Sequence, residues 1–149
     1  MINYYKKLLG FTFVEIILVV ALLAVSSGMV APIYFSAKNK DDLSNSVHIV
    51  VSSLRRAQLF SMAVKEDSSW GVKMVDNDIV IFKGDNYLSR EVEWDESFSI
   101  NKNISQSGID EIFFSKLNGR PNVNGDIVLG NNSGNSLIIN INSLGVVNY

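Results

Sequence analysis

The sequence has no cysteine and a single histidine, His48, among its 149 residues. The absence of cysteine excludes disulfides, thiolate metal sites and cysteine nucleophiles, and a single histidine excludes a multi-histidine metal site. A Ser-His-Asp set would depend on His48 alone, and the sequence contains no glycine-rich phosphate loop. We therefore predict that the chain is not an enzyme and has no catalytic residues, metal site, cofactor or small-molecule substrate.

The sequence also lacks a large charge of one sign. It carries 13 basic and 15 acidic residues, which gives a formal net charge of −2. Nucleic-acid-binding surfaces need clustered Lys and Arg to contact phosphates, whereas Arg120 is the one basic residue between positions 117 and 149. The composition therefore argues against nucleic acid as a partner.

A long uncharged run is present near the start of the chain. Lys6 and Lys7 precede it, and no charged residue occurs in the twenty positions from Ile16 to Phe35. A helix of that length spans roughly 30 Å, which is enough to cross the apolar core of a bilayer. Basic residues stay on the cytoplasmic side, so we predict a single-pass protein of the cytoplasmic (inner) membrane with an extracytoplasmic C-terminal domain.

Glu15 lies at the start of this run, where a carboxylate costs free energy in lipid. A removable secretory signal is one interpretation, but its best small-residue cut, after Ala31, is followed by Pro32, a poor residue at that position. A plain signal anchor gives Glu15 no purpose. A third interpretation is that Glu15 is an interfacial residue tolerated near the membrane edge.

The residues around Glu15 resemble the class III signal of type IV pilins and pseudopilins. The resemblance rests on Lys6-Lys7, then Gly10-Phe11-Thr12-Phe13-Val14-Glu15, and then a long apolar helix. It implies that residues 1–10 are a leader removed by a prepilin peptidase between Gly10 and Phe11. It also implies N-methylation of Phe11 and a subunit that polymerises through its N-terminal helix.

The same resemblance implies a role for Glu15 as a filament-docking charge. In a polymer its carboxylate would meet the amino terminus of a neighbouring subunit, and a low dielectric strengthens such a pair. The other implied partners are further pilin subunits, the membrane and an inner-membrane assembly platform. Gly28 and Pro32 are predicted weak points of the helix, because glycine adds backbone entropy and proline removes a backbone donor.

Beyond Phe35 the sequence predicts an amphipathic helix followed by strands. Apolar residues recur at spacings of three and four along the helix, at Leu43, Val47, Val50, Leu54 and Ala57. His48, Arg55 and Arg56 are expected at the surface or its boundary. Short β-prone runs occur at 70–75, 78–83, 91–95, 97–101, 112–115, 126–130, 137–142 and 145–149.

These patterns predict an α+β fold in which a long N-terminal helix packs on a mostly antiparallel β-sheet domain. The predicted parts are a leader (1–10), a transmembrane and assembly half of the helix (11–35), an amphipathic half (36–67) and a β-rich globular domain (68–149). Asp76-Asn77, between the first two β-prone runs, predicts a hairpin.

The globular part resembles the H-type pseudopilins of type II secretion and the FimT-like minor pilins. The cues are Leu54-Arg55-Arg56-Ala57-Gln58 and a C-terminal series of apolar residues and glycines: Phe114, Gly119, Gly125, Ile127, Leu129, Ile139, Ile141, Gly145 and Val147. The resemblance implies a structural subunit, major or minor, of a type IV pilus or a secretion pseudopilus. The alternatives are a DNA-binding minor pilin for DNA uptake and a membrane-anchored extracytoplasmic enzyme.

Overall fold

The computed structural model describes residues 10–27 and 38–149 in full, and of residues 28–37 it describes the helical backbone alone. The chain divides into two compact units, Met1–Ala37 and Lys38–Tyr149. One helix, α1 (Phe13–Met62), contributes to both units. Eight strands follow it: β1 (Trp70–Val75), β2 (Asp78–Lys83), β3 (Glu96–Ser99), β4 (Ile104–Gly108), β5 (Glu111–Phe114), β6 (Gly125–Asn131), β7 (Ser136–Ile141) and β8 (Val147–Asn148).

The strands form two four-stranded sheets in which every pairing is antiparallel. The first has the order β3-β2-β1-β5, and the second has the order β4-β6-β7-β8. The predicted hairpin is present, with Val75 opposite Asp78 and Asp76 in the left-handed region at φ 52°. The prediction of an α+β fold built on antiparallel sheets is therefore confirmed.

The C-terminal part of α1 supplies one wall of the hydrophobic core. The predicted stripe is buried along its whole length, from Leu43 at 3% exposure to Leu54 and Ala57 at 0%. Its side chains pack with inward-facing residues of both sheets, which alternate with outward-facing ones as strand geometry requires: Trp70, Val72, Ile79, Ile81, Ile112, Phe114, Ile127, Leu129, Ile139 and Ile141. The 3.6-residue period thus identified the buried face of the helix correctly.

A strand predicted at 91–95 is wrong. Residues Val92–Trp94 form a short 3₁₀ helix, and Val92 is 64% exposed. Arg90 bridges the turn by donating to both carboxylate oxygens of Asp95, at 2.8 and 3.1 Å. Trp94 packs edge-on against Trp70 with ring centroids 6.4 Å apart. The alternating pattern therefore reflects one aromatic contact and a local ion pair rather than a pleated strand.

The end of the helix and one strand also differ from the sequence prediction. The amphipathic half of the helix is predicted to extend to residue 67, but α1 ends at Met62 and Val64 is in the left-handed region at φ 54°. A 3₁₀ turn, Lys65–Asp67, then leads into β1. Strand β4 was not predicted, because only Ile104 in its sequence favours a strand.

Candidate functional site

The candidate site is the segment from Gly10 to Ser27, which contains the start of α1. Thr12 precedes the helix, and its Oγ1 accepts a hydrogen bond from the Glu15 backbone N–H at 3.2 Å. Its carbonyl accepts from the Ile16 N–H, also at 3.2 Å. Thr12 is therefore the N-cap of α1, and Glu15 is the third residue of the helix, which is the spacing of a capping box. This cap was not predicted, although the Thr-x-x-Glu pattern in the sequence indicates it.

Glu15 lies in the first turn of α1, where the electrostatic field of the helix N-terminus favours a carboxylate. The first N–H groups of a helix carry partial positive charge, and a carboxylate near them is stabilised. The side chain is exposed, and among the described residues no hydrogen bond or ion pair reaches its carboxylate. The negative charge of Glu15 is thus left available at the surface of the segment.

Apolar side chains cover every face of this helical segment. All residues from Gly10 to Ser27 are exposed, and their large hydrophobic members range from Val19 at 47% to Phe11 and Phe13 at 81%. A helix that is apolar on all sides requires an apolar environment around it, in a membrane or among other chains. The described residues of this chain do not provide that cover.

The two serines at the end of the segment satisfy their hydroxyl groups locally. Ser26 Oγ donates to the Leu22 carbonyl at 2.8 Å, and Ser27 Oγ donates to the Leu23 carbonyl at 2.6 Å. Such back-bonding to the preceding turn removes the need for water at a hydroxyl group. The serines are therefore compatible with an apolar environment. Glu15 is the only charged side chain between Gly10 and Ser27.

The bond between Gly10 and Phe11 lies open to solvent. Gly10 is exposed, and among the described residues other than its chain neighbours no heavy atom lies within 4 Å of the position that a Cβ there would occupy. The fold itself therefore does not require glycine at this position. Lys6 and Lys7, and the rest of the predicted leader up to residue 9, lie outside the described residues.

Two further predictions concern the middle of α1. Among the fully described residues, no helix is long and apolar enough to cross a membrane. The predicted uncharged run continues into residues 28–37, where α1 extends through Gly28 and Pro32 but the side chains are outside the described set. The role of these two residues as weak points stays a prediction.

The motif at residues 54–58, near the end of α1, contacts the glycine-containing loops through Gln58. Its Nε2 donates to the carbonyls of Gly119 (3.0 Å) and Leu144 (3.4 Å), which belong to two separate loops. Gly145 has φ 81°, and a Cβ on it would lie 2.3 Å from Gln58 Nε2. Arg55, one turn before Gln58 on the helix, donates to the Val147 carbonyl at 3.2 Å. Gln58 thus connects the helix to the loops that contain Gly119 and Gly145. We call these three residues the Gln58 junction.

Several charged groups of the globular unit form ion pairs at its surface. Lys73 Nζ lies 2.8 Å from Asp110 Oδ2, and this hydrogen bond holds the pKa of Asp110 below its usual value and raises the pKa of Lys73. A hydrogen bond from Lys116 likewise lowers the pKa of Asp67. These pairs are explained by local structure and do not converge on a cleft.

His48 lies at the surface, as the sequence predicts. Its ring is exposed and packs edge-on against Tyr149, with centroids 5.5 Å apart. Among the described residues, no group of three or more His, Cys, Asp or Glu side chains could hold a metal ion. In comparisons with known proteins, no family, curated protein or solved structure matched the chain.

Proposed function

We propose that the chain is a structural subunit of a filament of the type IV pilus or type II pseudopilus class. It is inserted in the inner membrane as a precursor, cleaved after Gly10 by a prepilin peptidase, N-methylated on Phe11 and assembled at a membrane platform. The observation that carries the proposal is the segment Gly10–Ser27, helical from Phe13 onward, which exposes apolar side chains on every face around one charge, Glu15.

The exposed surface of this segment supports the proposal on energetic grounds. Exposed apolar area is unfavourable in water at about 25 cal/mol per Å², so a helix of this kind is stable only inside lipid or against other chains. Lipid accommodates the apolar residues before assembly, and packing against identical segments accommodates them afterwards. The carboxylate of Glu15 distinguishes the two environments, because only the second offers a fixed positive partner.

The accessibility of the Gly10–Phe11 bond supports the processing step. A peptidase needs an extended or easily opened segment, and α1 begins only at Phe13. A Cβ at position 10 would meet no described residue beyond its chain neighbours, so the described structure does not require glycine there for its own packing. A requirement for glycine would therefore come from the peptidase rather than from the fold.

Coexpression of the full chain with a prepilin peptidase tests the proposal. Mass spectrometry should show loss of residues 1–10 and a methyl group on Phe11. Gly10→Leu should block cleavage without changing membrane insertion, and Gly134→Leu, at an exposed turn far along the chain, is the control that should still be cleaved. An uncut terminus in the unaltered chain, or a cut near Ala31, would contradict the proposal.

A further inference from the structure

One edge of the second sheet is only partly covered. Strand β6 pairs with β7 from Ser136 to Ile141, whereas β8 pairs with Asn140 and Ile141 alone. The first four residues of β7, Ser136 to Ile139, therefore have no strand beside them on the β8 side in the described structure. An uncovered edge of this kind is a template on which another extended segment can add.

The hydrogen-bonding direction along β7 identifies which backbone groups are open. At the turn, the Asn131 N–H donates to the Asn135 carbonyl at 2.9 Å, which directs the odd-numbered residues of β7 toward β6. The Asn142 N–H donates to the Val146 carbonyl at 3.2 Å, so the even-numbered residues face the β8 side. Because direction alternates along a strand, the N–H and C=O groups of Ser136 and Ile138 point to the open side.

An unusually exposed leucine lies beside this edge. Leu137 shares the inward face of β7 with Ile139 and Ile141, which are 0% and 1% exposed, yet Leu137 is 42% exposed. It lines a cavity of about 300 Å³ together with Lys40, Leu43, Asn135 and Ser136. We call this cavity and the adjoining open edge of β7 the β7 slot. A strand next to β7 would complete the cover of Leu137.

Lys40 gives the β7 slot a charge preference. Its side chain is exposed, and among the described residues it has no ion-pair partner. A strand antiparallel to β7 would run from a position opposite Ile138 toward Ser136, and so toward Lys40. The carboxyl end of such a strand would therefore approach the ammonium group.

We propose that the β7 slot binds the extended carboxyl-terminal end of another protein chain by strand addition. Backbone groups of Ser136 and Ile138 hydrogen-bond to the segment, an apolar side chain fills the cavity against Leu43 and Leu137, and Lys40 pairs with the terminal carboxylate. Main-chain bonds supply affinity in this mode of recognition, and the pocket with its charge supplies specificity. The site lies within residues 38–149 and is independent of the filament assignment.

The test uses the full chain in lipid nanodiscs and a labelled synthetic peptide. The probe alternates valine and serine over six residues, carries fluorescein at its amino end and has a free carboxyl end. Fluorescence anisotropy should show saturable binding. N-methylation of alternate amides should weaken it on the order of tenfold, because two edge hydrogen bonds are lost. A carboxyl-terminal amide should weaken it about threefold, as expected for an exposed ion pair.

Matched variants of the protein locate the binding. Lys40→Gln should reproduce the loss caused by the amide and should not add to it. Lys102→Gln, at an exposed lysine in the turn before β4, should leave affinity unchanged. Absence of binding at millimolar peptide, or equal binding of the N-methylated peptide, would overturn strand addition. Equal binding of the amide would overturn recognition of the carboxylate. Stronger binding of a peptide with the sequence of residues 104–108 would overturn the assignment in favour of a second copy.

Discussion

Two stretches of the same helix differ in how their apolar residues are used. Between residues 13 and 27, apolar side chains face every direction and all are exposed. Between residues 38 and 62, most of them lie in one stripe that is buried on the sheets, and Leu59 and Met62, near the end of the helix, are exposed. The backbone conformation is helical in both, so the difference is set by side-chain pattern alone. The first stretch has no packing partners among the described residues, and the second packs on the sheets of its own chain.

The largest expected effect on stability comes from replacing one leucine in each of the two stretches. Leu54 is fully buried and Leu18 is 56% exposed. Leu54→Ala should lower the free energy of unfolding of the globular unit by about 2–5 kcal/mol, because it leaves a cavity. Leu18→Ala should change it by less than about 0.5 kcal/mol. Denaturant unfolding in detergent, followed by the fluorescence of buried Trp70, measures both, and equal effects would contradict the division.

A second prediction concerns the Gln58 junction. Gly145 and Gly134 both have φ 81°, but only at Gly145 would a Cβ meet other atoms, at 2.3 Å from Gln58 Nε2. Gly134→Ala should cost about 1 kcal/mol from the left-handed backbone alone. Gly145→Ala should cost about 3 kcal/mol, because it also displaces the Gln58 amide from its carbonyl partners.

The same denaturant titration, run on both glycine variants, checks this difference. Gln58→Ala combined with Gly145→Ala should cost less than the sum of the two single changes, since the conflict with the Gln58 side chain has then been removed and only the close approach to the Gly119 carbonyl, at 2.9 Å, is left. Equal losses for the two glycine variants would show that backbone strain is the whole effect and that the Gln58 contact is unimportant.

A smaller effect on the free energy of unfolding is expected from the ion pair between Lys73 and Asp110. The pKa of Asp110 is lowered by the hydrogen bond from Lys73, so its contribution is present above the unfolded pKa of about 3.9 and is lost as pH falls through the folded value. The carboxyl is largely solvated, so the contribution should be below about 1 kcal/mol.

Urea unfolding between pH 6 and pH 2 measures this contribution. Asp110→Asn should lower stability at pH 6, and this loss should shrink as pH falls through the folded pKa of Asp110, because the carboxyl is then protonated in both states. Asp41→Asn, at an exposed carboxylate with no ion pair among the described residues, is the control for a general effect of net charge. A pH-independent loss for Asp110→Asn would mean that packing rather than charge is responsible.

The parts of the fold that could be predicted from the sequence depend on local period or local turn chemistry. The stripe from Leu43 to Ala57 and the hairpin at Asp76-Asn77 are of this kind. The strand predicted at 91–95 was wrong because alternation cannot distinguish a pleat from a turn held by Arg90 and Asp95. Strand β4 was missed because its polar sequence is held in place by pairing with β6, which is a long-range contact.

In the candidate site, too, only features that depend on neighbouring residues could be predicted from the sequence. Gly10, Phe11 and Glu15 form a contiguous motif, so their proposed roles could be stated from the sequence. The capping interaction of Thr12 could also have been predicted, since it spans three residues. The β7 slot could not, because it depends on where β8 stops beside β7 and on the helix residue that faces the gap.

The smallest expected effect on the globular unit, and the most informative for assembly, comes from Glu15. Glu15→Ala should change the unfolding free energy of residues 38–149 by less than about 0.5 kcal/mol, because the side chain is exposed and does not belong to that unit's core. Insertion and cleavage after Gly10 should stay near normal. If the proposed filament role is correct, entry into filaments should fall, because a neighbour's amino terminus would lose its partner in a dry environment.

The structure allows the docking role of Glu15 to be separated from its position in the helix cap. Thr12 Oγ1 accepts from the Glu15 backbone N–H, so Glu15→Gln keeps that bond and the side-chain size while removing the charge. If docking depends on charge, Glu15→Gln should be as deficient as Glu15→Ala, and Glu15→Asp should be intermediate because its reach is shorter. Thr12→Val removes the cap and keeps the charge, so it should assemble better than Glu15→Gln.

The ratio of each variant in sheared filaments to its membrane pool measures incorporation. Normal incorporation of Glu15→Gln together with a defect in Thr12→Val would assign the motif to helix capping, and apolar packing alone would then drive assembly.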